Sequence, residues 1–131
     1  MSKKNYDKQI ESKAILGKLI SDSRNKKNFS LRSFSKLINI PAYNLVYLDK
    51  GLNVPSPEVY DRIIKVLGPD DKLHKKMDQL YSAIRKLPPP DVCNAILKNA
   101  GVEDVIRACD GKKLSSSQMA QITQYILSLN N

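Results

Sequence analysis

Few side chains in this 131-residue chain are of types and spacings that support covalent or metal chemistry. The one histidine, His74, has no ligand partner at metal-binding spacing. The two cysteines, Cys93 and Cys109, stand sixteen residues apart outside any CxxC pattern. They read as free thiols in a reducing compartment, packed as small apolar side chains, and His74 reads as an exposed histidine on a charged helix face. No Gly-rich phosphate loop occurs, and no serine or cysteine is paired by pattern with a base. The triple serine 115–117 reads as cap and loop. An enzyme is therefore not expected, and neither a metal nor a cofactor is.

Charge is the stronger signal. The formal net charge is +9, and it is uneven: residues 1–68 hold 13 Lys/Arg against 6 Asp/Glu, while residues 69–131 hold 9 against 7. A basic half attracts nucleic acid or an anionic surface, although Lys-rich solvated helices share the composition. No apolar run approaches the ~20 residues of a membrane span, and the N-terminus lacks the apolar stretch of a signal peptide. The expectation is a soluble, cytoplasmic protein without a membrane partner.

Apolar residues recur at helical spacing throughout, and alternating β-branched runs are missing, so the sequence predicts an all-α fold. A first helix is expected over Asp7 to Lys27, with Ile10, Ala14, Leu16, Leu19, Ile20 and Ser23 inward. Ser30 caps a short helix, Leu31 to Ile38, with Phe34 and Leu37 facing the core. Pro41 opens a third, Ala42 to Lys50, held by Leu45 and Leu48 and closed by Gly51. Ser56-Pro57 starts a fourth, with the stripe Val59, Ile63, Ile64 and Leu67, and Gly68-Pro69 stops it. That stop is the expected domain boundary, dividing 1–68 from 69–131. Beyond it come a helix from Asp71 to Leu87, short ones over Asp91 to Asn99 and Glu103 to Cys109, a turn at Asp110-Gly111, and a last helix opened by the Ser115-x-x-Gln118 capping box.

Two short helices joined by a tight turn, with a scaffold helix before and another after, form the arrangement that carries a helix into the major groove. Residues 16–67 resemble the Cro and phage-repressor-like helix-turn-helix family, the XRE family. The resemblance rests on Leu16-Gly17-Lys18-Leu19-Ile20, on Phe29 through Leu37, on Ile40-Pro41 with Leu45, on Leu48-Asp49-Lys50-Gly51, and on Pro55-Ser56-Pro57-Glu58. Ser35 stands where that family keeps a small residue at the crossing of its second and third helices. Leu52 and Val54 depart from the family, which often has basic or polar residues there. The match covers about two-fifths of the chain.

The resemblance implies a lambda-repressor-like helix-turn-helix domain followed by a small helical C-terminal region. It implies that Ala42, Tyr43, Asn44 and Tyr47 read base edges, Asn44 by paired hydrogen bonds to adenine and Ala42 against a thymine methyl. It further implies that Ser30, Arg32, Lys36, Lys50 and Asn53 hold the phosphate backbone. The function expected from it is transcriptional regulation in a bacterium or phage, by a homodimeric repressor that binds double-stranded DNA. Met77, Leu80, Tyr81 and Ile84, with Met119, Ile122 and Ile126, form apolar stripes that must pack on each other, on a second chain or on a ligand. An antitoxin or adaptor, binding a protein through its C-terminal half, is the alternative, and a small-molecule sensor is a third possibility.

Overall fold

A computed structural model describes residues 2–130, and every regular element among them is a helix, so the chain is all-α. In order these are α1 (Lys3–Lys26), α2 (Leu31–Leu37), α3 (Ala42–Asp49), α4 (Pro57–Leu67), α5 (Asp71–Arg85), α6 (Pro90–Lys98), α7 (Val102–Lys112) and α8 (Ser116–Ser128). No helix among the described residues is long and apolar enough to cross a membrane. The chain divides into two compact units, Met1–Cys93 and Asn94–Asn131.

Local rules set most helix ends in the first unit. Ser30, Ser56 and Asp70 accept from the amides of Ser33, Val59 and Leu73, satisfying donors that the helix itself leaves unpaired. Gly68 ends α4 in a left-handed conformation, φ +53°, at little steric cost. Five helices then share one core: Leu16 and Ile20 of α1, Phe34 with the capping Ile38 of α2, Leu45 and Leu48 of α3, Tyr60, Ile63 and Leu67 of α4, and Met77 and Tyr81 of α5. Burying each such side chain stabilises the fold by about 1.5–3 kcal/mol.

One approach is unusually close. A Cβ at Gly17 would meet the carbonyl oxygen of Leu48 and stand 2.9 Å from that of Asp49, so α1 lies directly against the C-terminal turn of α3. Gly51 follows with φ +73°, and a Cβ there would lie 2.6 Å from the Ala14 Cα. Both positions demand glycine, one by contact and the other by contact and dihedral.

The structure corrects several expectations. Leu37 is 50% exposed, and Ile38, one residue on, is buried in its place. Ile10 and Ala14 of α1 face solvent, while Arg24 is buried. Asp110-Gly111 makes no turn, since α7 continues to Lys112. The division of the chain falls after Cys93 and not after Gly68. Gly68-Pro69 stops a helix, but the chain returns and α5 docks on α1, with the Tyr81 ring stacked 4.2 Å from that of Tyr60. Met77 and Tyr81, expected on a dimer or partner surface, are fully buried, and Leu80 and Ile84 pack against the same core.

The second unit has another character. Its last helix is well capped, since Ser115 and Gln118 make both bonds of the capping box, at 3.1 and 2.9 Å, whereas α7 starts at Gly101 with no side-chain cap. On α7, Arg107 pairs with Glu103 and Asp104 in exposed contacts that contribute little. No residue described between 94 and 130 is buried.

Candidate nucleic-acid interface

The residues expected to meet DNA lie on α2, α3 and the turns beside them. α2 needs its Ser30 cap because seven residues form a marginal helix alone. Its exit turn, 38–41, puts Asn39 at φ +56°, a conformation that a short polar side chain tolerates, and Ile40 N–H closes the turn onto the Ser35 carbonyl at 3.0 Å. Ser35 is buried and donates to the Arg32 carbonyl at 2.9 Å. α3 then starts after Pro41, which offers no side-chain cap, and is held from below by Leu45 and Leu48.

That anchoring fixes which side chains α3 presents. Tyr43 is 65% exposed, Tyr47 is 45% exposed, and Ala42 is also exposed. Asn44 is half-buried and lines a shallow groove of about 280 Å³ together with Asn53, which brings one expected base reader and one expected phosphate contact to the same hollow. Ser30, Arg32, Lys36, Lys50 and Asn53 are all exposed. The Ser30 oxygen is engaged as the cap of α2, at 3.0 Å from the Ser33 amide.

The electrostatics of this face follow from where carboxylates are absent. Between Asp22 and Asp49 the sequence holds five cations, Arg24, Lys26, Lys27, Arg32 and Lys36, and no Asp or Glu. Both bounding carboxylates are occupied, Asp22 by Lys18 at 3.4 Å and Asp49 by Arg24 at 3.0 Å. Among the described residues none of Lys26, Lys27, Arg32, Lys36 and Lys50 is in an ion pair.

Three arginines tie together the elements that carry this surface, and sequence reasoning did not find them. Arg24 joins the ends of α1 and α3, donating to Asp49 and, at 3.1 Å, to the Phe29 carbonyl before α2. Burial pushes the Asp49 carboxyl above its ordinary value, and the guanidinium offsets only part of that. Arg62 of α4 donates to the Ile38 carbonyl in the turn between α2 and α3 at 3.3 Å. Arg85 of α5 donates to the carbonyls of Pro55 and Val54 at 3.0 and 2.7 Å, fixing the loop that carries Asn53. The local signal for Arg24 was its place in the last turn of a helix, which suggests a dipole-facing cation and conceals a tertiary pair.

The other chemistry-bearing residues stay apart from this face. His74 Nε2 lies 3.4 Å from Asp78 Oδ2, and Asp78 also accepts from the buried Tyr60 hydroxyl at 2.7 Å. Cys93 and Cys109 are half-buried free thiols. Among the described residues no three His, Cys, Asp or Glu side chains gather as a metal site would require.

No family model matches the chain, and neither does any curated protein or solved structure.

Proposed function

We propose that residues 16–67 form a helix-turn-helix of the Cro and phage-repressor type, and that the chain is a sequence-specific transcriptional regulator of duplex DNA. In this reading it acts in the cytoplasm as a homodimeric repressor, with α3 in the major groove. Ala42, Tyr43, Asn44 and Tyr47 read base edges there, while Arg32, Lys36, Lys50, Asn53 and the Ser30 hydroxyl hold phosphates.

The observation that carries this reading is the coincidence of charge and shape. The stretch from 23 to 48, free of carboxylates, runs from the last turn of α1 through α2 and the tight turn to all but the final residue of α3. An eight-residue helix is about 12 Å long and about 10–12 Å wide with its side chains, which suits a groove about 12 Å across. Its outward side carries two exposed tyrosines, with the half-buried Asn44 in the adjoining groove, polar tips able to meet base edges or the sugar–phosphate wall.

Selection of sites from a random duplex pool at about 0.15 M salt, where non-specific affinity is weak, tests it. Enrichment of an inverted repeat with half-sites about 34 Å apart is expected. Asn44→Ala and Tyr47→Ala should each weaken binding to the selected site by about 10- to 100-fold and leave binding to unrelated duplex nearly unchanged. Absence of any enriched motif from folded protein overturns the proposal.

A further inference from the structure

Among the described residues that line the shallow groove beside α3, Arg85 is the one that carries a charge. The other polar side chains there, Asn44, Asn53 and Ser56, are neutral, and no Asp or Glu lines it. Arg85 belongs to α5, outside the stretch 16–67, and reaches the groove because α5 folds back to dock on α1. The macrodipole accounts for a cation in the last turn of α5, but not for its place in this groove.

The guanidinium is held in one setting. Such a group has two edges on which paired N–H groups point in parallel, a side edge of Nε with Nη2 and an end edge of Nη1 with Nη2. The side edge is taken, since Nε donates to the Pro55 carbonyl at 3.0 Å and Nη2 to that of Val54 at 2.7 Å. The end edge has no protein acceptor, and among the described residues Arg85 forms no ion pair. The residue is exposed. Bracing the loop uses neither the end edge nor the positive charge, so both are left for something else.

We infer that Arg85 is a phosphate-binding residue of the duplex interface, its end edge pairing with one backbone phosphate beside the groove that Asn44 and Asn53 line. This rests on the reading of α3 as the recognition helix and adds to it a contact from outside the helix-turn-helix. Phosphate matches the free edge in charge and in geometry, because two parallel N–H groups meet two oxygens of one tetrahedral group. The two carbonyls already hold the long side chain, so little rotamer freedom remains to be lost on binding.

Binding of the full chain to the selected duplex and to an unrelated one, between about 0.05 and 0.2 M NaCl, tests the contact, because each neutralised phosphate adds about 0.9 to the slope of log affinity against log salt. Arg85→Gln keeps a donor for the loop and removes the charge. It is expected to lower the slope by about 0.9 and the affinity by about 10-fold on both duplexes. Arg85→Lys should retain the slope and lose affinity several-fold, since it keeps the charge without the paired edge. An unchanged slope in Arg85→Gln overturns the inference. So does a loss confined to the selected duplex, which would make Arg85 a brace of the Asn53 loop alone. Should circular dichroism show that glutamine unfolds the chain, Arg85→Lys decides, and wild-type affinity for both duplexes then overturns the inference. If selection enriches no motif, the unrelated duplex still reads the slope, so that failure is separate. A wild type that binds neither duplex overturns both readings.

Discussion

Arg24 and Arg32 are eight residues apart and have opposite environments. Arg32 reaches solvent on α2, available to an anion, whereas Arg24 is buried between two helix ends with its charge spent on Asp49 and on the Phe29 carbonyl. The Arg24–Asp49 pair is not fully satisfied, since Arg24 Nε and Asp49 Oδ1 lack protein partners. Such a pair contributes little net energy while intact, yet removing one member strands the other charge. Arg24→Ala is therefore expected to destabilise the first unit by about 3 kcal/mol, read as a lower urea midpoint, whereas Arg32→Ala should stay within about 0.5 kcal/mol of wild type. The exposure of Tyr43 and Tyr47 was legible from the sequence because Leu45 and Leu48 fix the phase of α3. The half-burial of Asn44 was not, because its groove is closed by Val54, Pro55 and Arg85 from distant parts of the chain.

Helix boundaries were legible wherever a local device sets them. Ser30, Ser56, Ser115, Gly51 and Gly68 all act within one turn of their own position, and the structure keeps each of them. Phase was less legible in short helices. In the seven residues of α2 a stripe cannot be fixed to better than one position, and Leu37 lost its place to Ile38 for that reason. Tyr60 was likewise passed over in favour of Val59, because its burial depends on an α5 partner eighteen to twenty-one residues away. That docking has a pH signature. Burial and the hydrogen bond to Asp78 hold the Tyr60 phenol well above its ordinary value, and burial raises Tyr81 too. In the unfolded chain these phenols ionise near pH 10, so stability is fully present below that pH and falls as pH rises past it. Urea midpoints at about pH 8 and about pH 11 should differ more for wild type than for Tyr60→Phe, which removes one of the two linked protons.

The first unit is organised by α5 more than by its most visible helix stop. A fragment ending at Gly68 lacks Met77 and Tyr81 and leaves Tyr60 without its stacking partner. Those losses, at about 1.5–3 kcal/mol for each buried side chain, approach the entire stability of a small domain. Residues 1–68 should therefore show no cooperative thermal transition by circular dichroism, while residues 1–93 should melt cooperatively. A cooperative 1–68 fragment would mean that α5 is an accessory. The boundary was hidden in the sequence because a glycine and a proline speak only to the backbone around them, whereas domain membership is decided by side chains that meet later. The stacked tyrosines have one more consequence, an optical one. The chain has six tyrosines and no tryptophan, so its near-ultraviolet emission is phenolic throughout. Tyr60 donates to a carboxylate, so its emission is expected to be quenched in the folded state and to brighten when α4 and α5 separate. Tyr43 and Tyr47 are open to solvent on α3, so under the proposed function their emission should dim when the protein takes up duplex DNA. Unfolding and, under the proposed function, DNA capture should thus move the same unlabelled signal in opposite directions.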